Sequence, residues 1–210
     1  VTSYDVLLDG ASLAEAATQT AITGLSIVPS DPDLSGVELE LAGENRRSFR
    51  LRDALLPLRD DTSAERFTYV LIDCPPSLNV LTVNAMAAAD AVLVPLQCEF
   101  FALEGLSQLV RTVDLVRSSL NPKLEIQGVV LTMYDKRNRL SEQVEADVRA
   151  HFGDKVYETV IPRNVRVSEA PSFGKPALIY DLKCAGSQAY LKLARELVGR
   201  ERARQAQVAA

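Results

Sequence analysis

One carboxylate in this chain sits where it could do chemistry. The run Tyr69-Val70-Leu71-Ile72 leads into Asp73, and Cys74-Pro75-Pro76 follows. The apolar run reads as a strand. An acid at its tip is expensive to bury unless a cation or hydrogen-bond donors answer it. Ligands collect beyond the carboxyl ends of parallel strands. A carboxylate there serves Mg²⁺ beside a nucleotide phosphate, directly or through water. It can equally cap the turn or helix that follows, and spacing alone leaves both readings open. Three more apolar runs end on polar residues, at Pro95-Leu96-Gln97, Tyr134-Asp135 and Pro162-Arg163-Asn164. Four such tips make a candidate pocket rim.

A phosphate site also needs a cradle of backbone N–H groups, and the pattern GxxxxGK[ST] is absent from the 210 residues. Gly174-Lys175 precedes Pro176, which has no hydroxyl to offer a metal, and Glu169 stands five residues before Gly174. Cations gather in two places. Lys136-Arg137-Asn138-Arg139 follows one apolar run, and Arg163 and Arg166 follow another. If the two loops are neighbours they form a basic patch able to neutralise phosphates; otherwise they are solvated loops. A zinc ribbon or redox pair is not indicated, because Cys74, Cys98 and Cys184 are widely spaced with no CxxC. His151 is the only histidine and falls near a helix end, so a Ser-His-Asp or zinc-hydrolase arrangement has no support.

These residues need a scaffold, and the pattern supplies one. Strands are expected at Leu25 to Val28, Tyr69 to Ile72, Ala91 to Leu96, Ile126 to Met133, Val156 to Ile161 and Ala177 to Tyr180. Helices are expected between them. Leu51, Ala54, Leu55 and Leu58 share one helical face, and Leu78 to Ala89 forms another helix. Leu103, Leu106, Leu109, Val110, Val113 and Val116 stripe a long helix stopped by Asn121-Pro122. Leu140, Val144, Val148 and Phe152 recur every four residues before Gly153, a plausible helix stop. Gly186 to Val198 closes the series. Strand-helix alternation argues for an α/β fold, doubly wound, with a mostly parallel sheet covered by helices on both faces. One domain over 1–198 is expected, with Asp60 to Arg66 a polar loop and 199–210 a frayed charged tail.

Composition sets outer limits. A hydrophobic fraction of 47% fills a sizeable core, and a net charge of −5 does not advertise nucleic acid in bulk. Any polyanion site must then be local. An odd, scattered set of three cysteines suits a reducing cytoplasm. No apolar run reaches the ~18 residues a membrane helix needs, and VTSYDVLLDG is not a signal peptide. A first residue that is not Met suggests a chain incomplete at its front.

From Tyr69 onward the sequence resembles the ParA/Soj-type chromosome-partitioning ATPases, P-loop NTPases with a deviant Walker A motif. The resemblance is carried by YVLIDCPPSL, NAMAAADAVLVPLQCEFFALEGL, LNPKLEIQGVVLTMYD, HFGDKVYETVIPRNVRVSEAPSFGKPALIYD and GSQAYLKLARELV. Upstream, SYDVLLDG and LSIVPSDPDLSGVELEL match more loosely. Family members open with a strand, a KGGVGKT-like loop and a DxDPQ-like switch. The resemblance therefore implies a chain lacking roughly 50 N-terminal residues, on typical βαβ lengths. It further implies an interior strand without its neighbour, and hence poor solubility or partial folding.

The family's roles fall on matching positions. Asp73 would be the Walker B acid, linked to Mg²⁺ through water. Met133, Pro162, Arg163 and Asn164 would lie near the nucleotide base, and Glu104 near the nucleotide and dimer face. Arg137 and Arg166 would bind DNA without sequence preference. ATP, Mg²⁺, an ATP-dependent homodimer and a ParB/Spo0J-type partition protein are implied, in a cytoplasmic, nucleoid-associated protein. Two alternatives remain: a non-catalytic remnant that binds DNA or a partner, and a MinD-like spatial regulator. After Val198 the tail offers only alanines and Val208, too little apolar area for a membrane helix.

Overall fold

A computed structural model describes residues 1–59 and 67–208. In chain order it begins with α1 (Ser3–Leu8), α2 (Leu13–Ala16), β1 (Thr18–Gln19), β2 (Ser26–Ile27), α3 (Val37–Glu40), α4 (Arg50–Arg59) and α5 (Val80–Ala88). Then come β3 (Ala91–Gln97), α6 (Ala102–Ser119), β4 (Glu125–Thr132) and α7 (Arg139–Phe152). It ends with α8 (Val165–Glu169), α9 (Ala177–Tyr180) and α10 (Ala185–Val208). The chain divides into two compact units, Val1–Ala91 with Arg111–Glu125, and Val92–Val110 with Ile126–Ala210. The expected loop Asp60 to Arg66 lies outside the described residues.

In the first unit α5 is apolar along most of its length, and six of its nine residues are buried. Asn79 starts it, its side chain accepting from Leu81 N and Thr82 N. The helix expected from Leu51, Ala54, Leu55 and Leu58 forms as α4, and Asn84 of α5 binds its N-terminal end. Asn84 Oδ1 accepts from Leu51 N at 3.2 Å, and Nδ2 donates to Arg47 O at 2.7 Å and Val80 O at 2.9 Å. Asn121, just past α6, donates to Met86 O and Ala89 O. Arg59 reaches Ala88 O and Asp90.

Two expected strands of this unit change character. Leu25 to Val28 contributes only β2, which pairs antiparallel with β1. Tyr69 to Ile72 joins no ladder among the described residues, and Leu71 is 88% exposed. A strand exists by giving its N–H and C=O groups to a neighbour, and apolar sequence alone does not provide one.

The strands β3 and β4 pair with each other, and α6 lies between them in the sequence. Glu125 N donates to Asp90 O at one end and Cys98 N to Thr132 O at the other, so the strands run parallel. The expected strand Val156 to Ile161 is present in two pieces. Val156 bridges Val129 and Pro162 bridges Tyr134, both parallel. Tyr157 N donates to Val129 O and Ile161 N to Leu131 O, so four residues on one side span two on the other. The excess bulges out. Its N–H groups are not lost: Glu158 N and Thr159 N donate to the Glu196 carboxylate at 2.8 and 2.9 Å.

Two more expectations are corrected here. Ala177 to Tyr180 is helical, because Ile179 N and Tyr180 N both turn back to Pro176 O. The tail after Val198 continues as α10 to Val208. It is held by Arg200, which donates to Asp154 O, Val156 O and Glu196, with its guanidinium 4.2 Å over the ring of the fully buried Tyr157. Val130, Tyr157, Ile161, Ala189 and Leu193 pack together as the core beneath this clamp.

The clamp should be acid-sensitive. Burial raises the Glu196 carboxyl, but the donors of Glu158 and Thr159 and the charge of Arg200 outweigh it and hold it below its usual range. A depressed carboxyl stabilises the fold above its unfolded pKa of about 4.3. That contribution disappears as pH falls through the lower folded value. Urea midpoints should therefore drop on acidification through this window. Glu196→Gln should lower the midpoint at neutral pH and make the acid decline shallower.

Candidate functional site

The two basic loops are neighbours, both in the second unit. Tyr134 N donates to Ile161 O at 3.1 Å, and Arg163 N donates to Tyr134 O at 3.0 Å. Pro162 sits between these bonds, where no N–H is called for, so a proline is tolerated there. The stitch places Met133, Tyr134 and Asp135 beside Pro162, Arg163 and Asn164. Met133 has φ 52°, the only non-glycine residue with positive φ among the described residues. A side chain held there is strained, and such strain clusters at functional sites.

Short polar side chains shape both loops by accepting from the N–H two residues on. Asp135 accepts from Arg137 N, Asn138 from Leu140 N, and Asn164 from Arg166 N. Asn138 thereby starts α7 and Asn164 starts α8. Gly186 permits α10 to begin directly against α8: a Cβ there would stand 2.4 Å from Val167 Cγ2 and 3.2 Å from Asn164 Cβ. Behind the first loop, Arg149 of α7 binds Glu145 at 2.9 Å and Tyr157 O at 3.2 Å. A hydrogen bond to Glu145, then burial, push the Tyr134 hydroxyl up to about 12, so it stays protonated.

The arginines are not bare. Arg137 grips Asp135 with two parallel bonds, Nε to Oδ1 at 3.0 Å and Nη2 to Oδ2 at 2.9 Å. The hydrogen bonds from Arg137 bring the Asp135 carboxyl down to about 2, helped by the nearby charge of Arg163. Arg166 donates to Glu169 at 3.0 Å, and its Nε lies 3.8 Å from Asp181. The sequence reading missed these carboxylate partners. The Asp-x-Arg spacing at 135–137 and the i, i+3 spacing at 166–169 were the available signals.

The other candidates lie on other segments of the chain. Asp73 lies in the first unit, exposed, on the segment without a ladder. Cys74 is exposed. Glu104 is an exposed acid in the first turn of α6, a placement the helix dipole favours. Cys98 is buried, and burial pushes its thiol up to about 11, which removes it as a nucleophile near neutrality. Among the described residues no group of three metal-ligating side chains converges, and no helix is long and apolar enough to cross a membrane.

Comparison with known proteins gives a consistent set of relatives. A family model described as an AAA domain matches residues 1–126. The chromosome partitioning protein ParA of Caulobacter vibrioides is 72% identical over 208 residues, covering 99% of this chain and 77% of that protein. The protein of the same description from Myxococcus xanthus is 52% identical, over 95% of this chain and 69% of its own length. Among solved structures, cobyrinic acid a,c-diamide synthase from Mycobacterium smegmatis, with bound ADP and magnesium, matches with a TM-score of 0.78 at 34% identity. That match covers 96% of this chain and 73% of the synthase.

Proposed function

Because the chain belongs to the ParA family of chromosome-partitioning ATPases, with their P-loop NTPase type of α/β fold, we propose that it binds DNA without sequence preference through the two stitched loops, under control of ATP and Mg²⁺. One observation supports the reading: backbone hydrogen bonds at Tyr134 make the segments that lead into Arg137 and into Arg163 neighbours. Arg137 and Arg166 contact phosphates. Met133, Pro162, Arg163 and Asn164 form the edge that meets the nucleotide base, and the strained backbone of Met133 supports that role. Residues 1–198 act as one ATPase domain, which dimerises on ATP through a face that includes Glu104. A ParB/Spo0J-type partition protein releases the dimer from the nucleoid, in the cytoplasm.

The residues present fit this only in part. Mg²⁺ beside a nucleotide is held by one or two carboxylates and keeps several waters. A single exposed Asp73 suits that donor set. When bound, the metal would neutralise charge on the phosphates. The 210 residues contain no glycine-lysine phosphate cradle. Hydrolysis is therefore assigned to no residue of this chain. The second reading is a non-catalytic chain that binds DNA or a partner.

Fluorescence anisotropy with labelled duplexes of unrelated sequence tests the DNA reading. Affinities should agree between sequences and fall linearly on a log-log salt plot. Arg137→Ala with Arg166→Ala should weaken binding roughly tenfold or more and make the salt slope shallower by about two. Unchanged affinity and slope would remove DNA binding from this surface. Steady-state turnover of Mg·ATP, with Asp73→Asn as control, separates the ATPase from the non-catalytic reading.

A further inference from the structure

The two arginines placed on DNA already hold oxyanions. Arg137 is 89% exposed, yet its guanidinium closes a two-bond fork on Asp135, whose side chain is 28% exposed. Arg166 donates to Glu169 Oε2, and the Tyr180 hydroxyl donates to the same oxygen at 3.3 Å. Asp181 Oδ2 lies 3.8 Å from Arg166 Nε. The remaining cations of the surface differ. Lys136, Arg139 and Arg163 make no ion pair among the described residues, although Arg163 lies close enough to Asp135 to influence its charge.

A planar guanidinium presents the same fork to a carboxylate and to a phosphate. Asp135 and a DNA phosphate therefore compete for the same N–H groups of Arg137, and Glu169 competes likewise at Arg166. We propose that Asp135 and Glu169 are internal stand-ins for DNA phosphates, latches that keep Arg137 and Arg166 occupied until a backbone phosphate displaces them. This rests on the reading that the surface binds DNA. Lys136 and Arg139 supply the standing positive charge for first encounter, and the latched arginines engage afterwards.

The geometry lets the latch at Arg137 open without disturbing the loop. Asp135 Oδ1 also accepts from the backbone N of Arg137 at 3.0 Å. When the guanidinium swings away, that turn remains closed and Asp135 keeps a donor. The Asp135 carboxyl, held near 2 by Arg137, does not protonate in the physiological range, so the latch answers to polyanions and not to pH. An exposed pair of this kind holds a side chain only weakly. Each latch should cost DNA affinity a factor of about two to five.

Asp135→Asn keeps the oxygen that caps Arg137 N and removes the charge. Measured by anisotropy on a labelled duplex, it should tighten binding about two- to fivefold. In an Arg137→Ala background the same change should leave affinity unaltered. Glu169→Gln should behave in the same way, with its gain abolished by Arg166→Ala. A gain that survives in the arginine-less background means the acids merely repel DNA, and overturns the latch. So does the absence of any gain where Arg137→Ala itself weakens binding. If the unaltered protein binds no duplex, or Arg137→Ala and Arg166→Ala change nothing, the DNA reading falls and the latch falls with it.

Discussion

Gly128→Ala will destabilise the second unit by about 2–3 kcal/mol, the upper part of the range for overpacking. Gly128 lies buried in β4, directly beneath Tyr157. A Cβ on it would stand 2.5 Å from Tyr157 Cε2 and 2.7 Å from Lys155 O. The carbonyl cannot move freely, because its segment is fixed by Val156 pairing with Val129 and by Arg200 gripping Asp154 O and Val156 O. The ring cannot move freely either, since it is fully buried under Arg200. A lowered urea midpoint with an unchanged slope is the expected result. Tyr157→Leu in the Gly128→Ala background removes the clashing ring edge and should restore part of the loss. A Gly128→Ala protein as stable as the parent would show that Tyr157 does not occupy this place.

Asn84→Ala is expected to cost the first unit a similar amount, about 2–3 kcal/mol. Asn84 is almost fully buried and makes three hydrogen bonds to backbone groups. Leu51 N belongs to the first turn of α4, where N–H groups have no partner within their own helix. Alanine would leave that donor and Arg47 O without their side-chain partner. Asn84→Asp keeps the acceptor for Leu51 N but buries a charge and loses both donated bonds, so it should be at least as harmful. Loss of near-native hydrogen-exchange protection at the start of α4 in Asn84→Ala, with α7 and α10 of the other unit unaffected, would locate the damage. Equal exchange in both proteins would refute the assignment.

These two residues mark where sequence reading stops. Nothing in the period of α5 separates Asn84 from a surface asparagine, because hydrophobic pattern reports a face and not a hydrogen-bond partner. Gly128 reads as a weak strand position until Tyr157, far along the chain, is seen to lie over it. Arg200 fell in a stretch that composition marks as a charged tail. Its three backbone and carboxylate partners become visible only once α10 is laid along the bulged strand.

What the sequence determined by itself was local and periodic. The helices α4, α5, α6, α7 and the core of α10 follow from apolar spacing, Asn138 and Gly153 bound α7, and β3 and β4 follow from short apolar runs. The motif runs carried the family, and the placing of Arg137 beside Arg163 and Arg166 was conditional on two loops meeting. Tertiary structure decided that meeting, through the backbone bonds at Tyr134, and decided that Asp135 and Glu169 hold the arginines. It also decided that Tyr69 to Ile72, for all its apolar character, joins no sheet among the described residues. A strand is a property of two segments, since its hydrogen bonds close only on a neighbour; a helix closes its own, and so can be read from one segment alone.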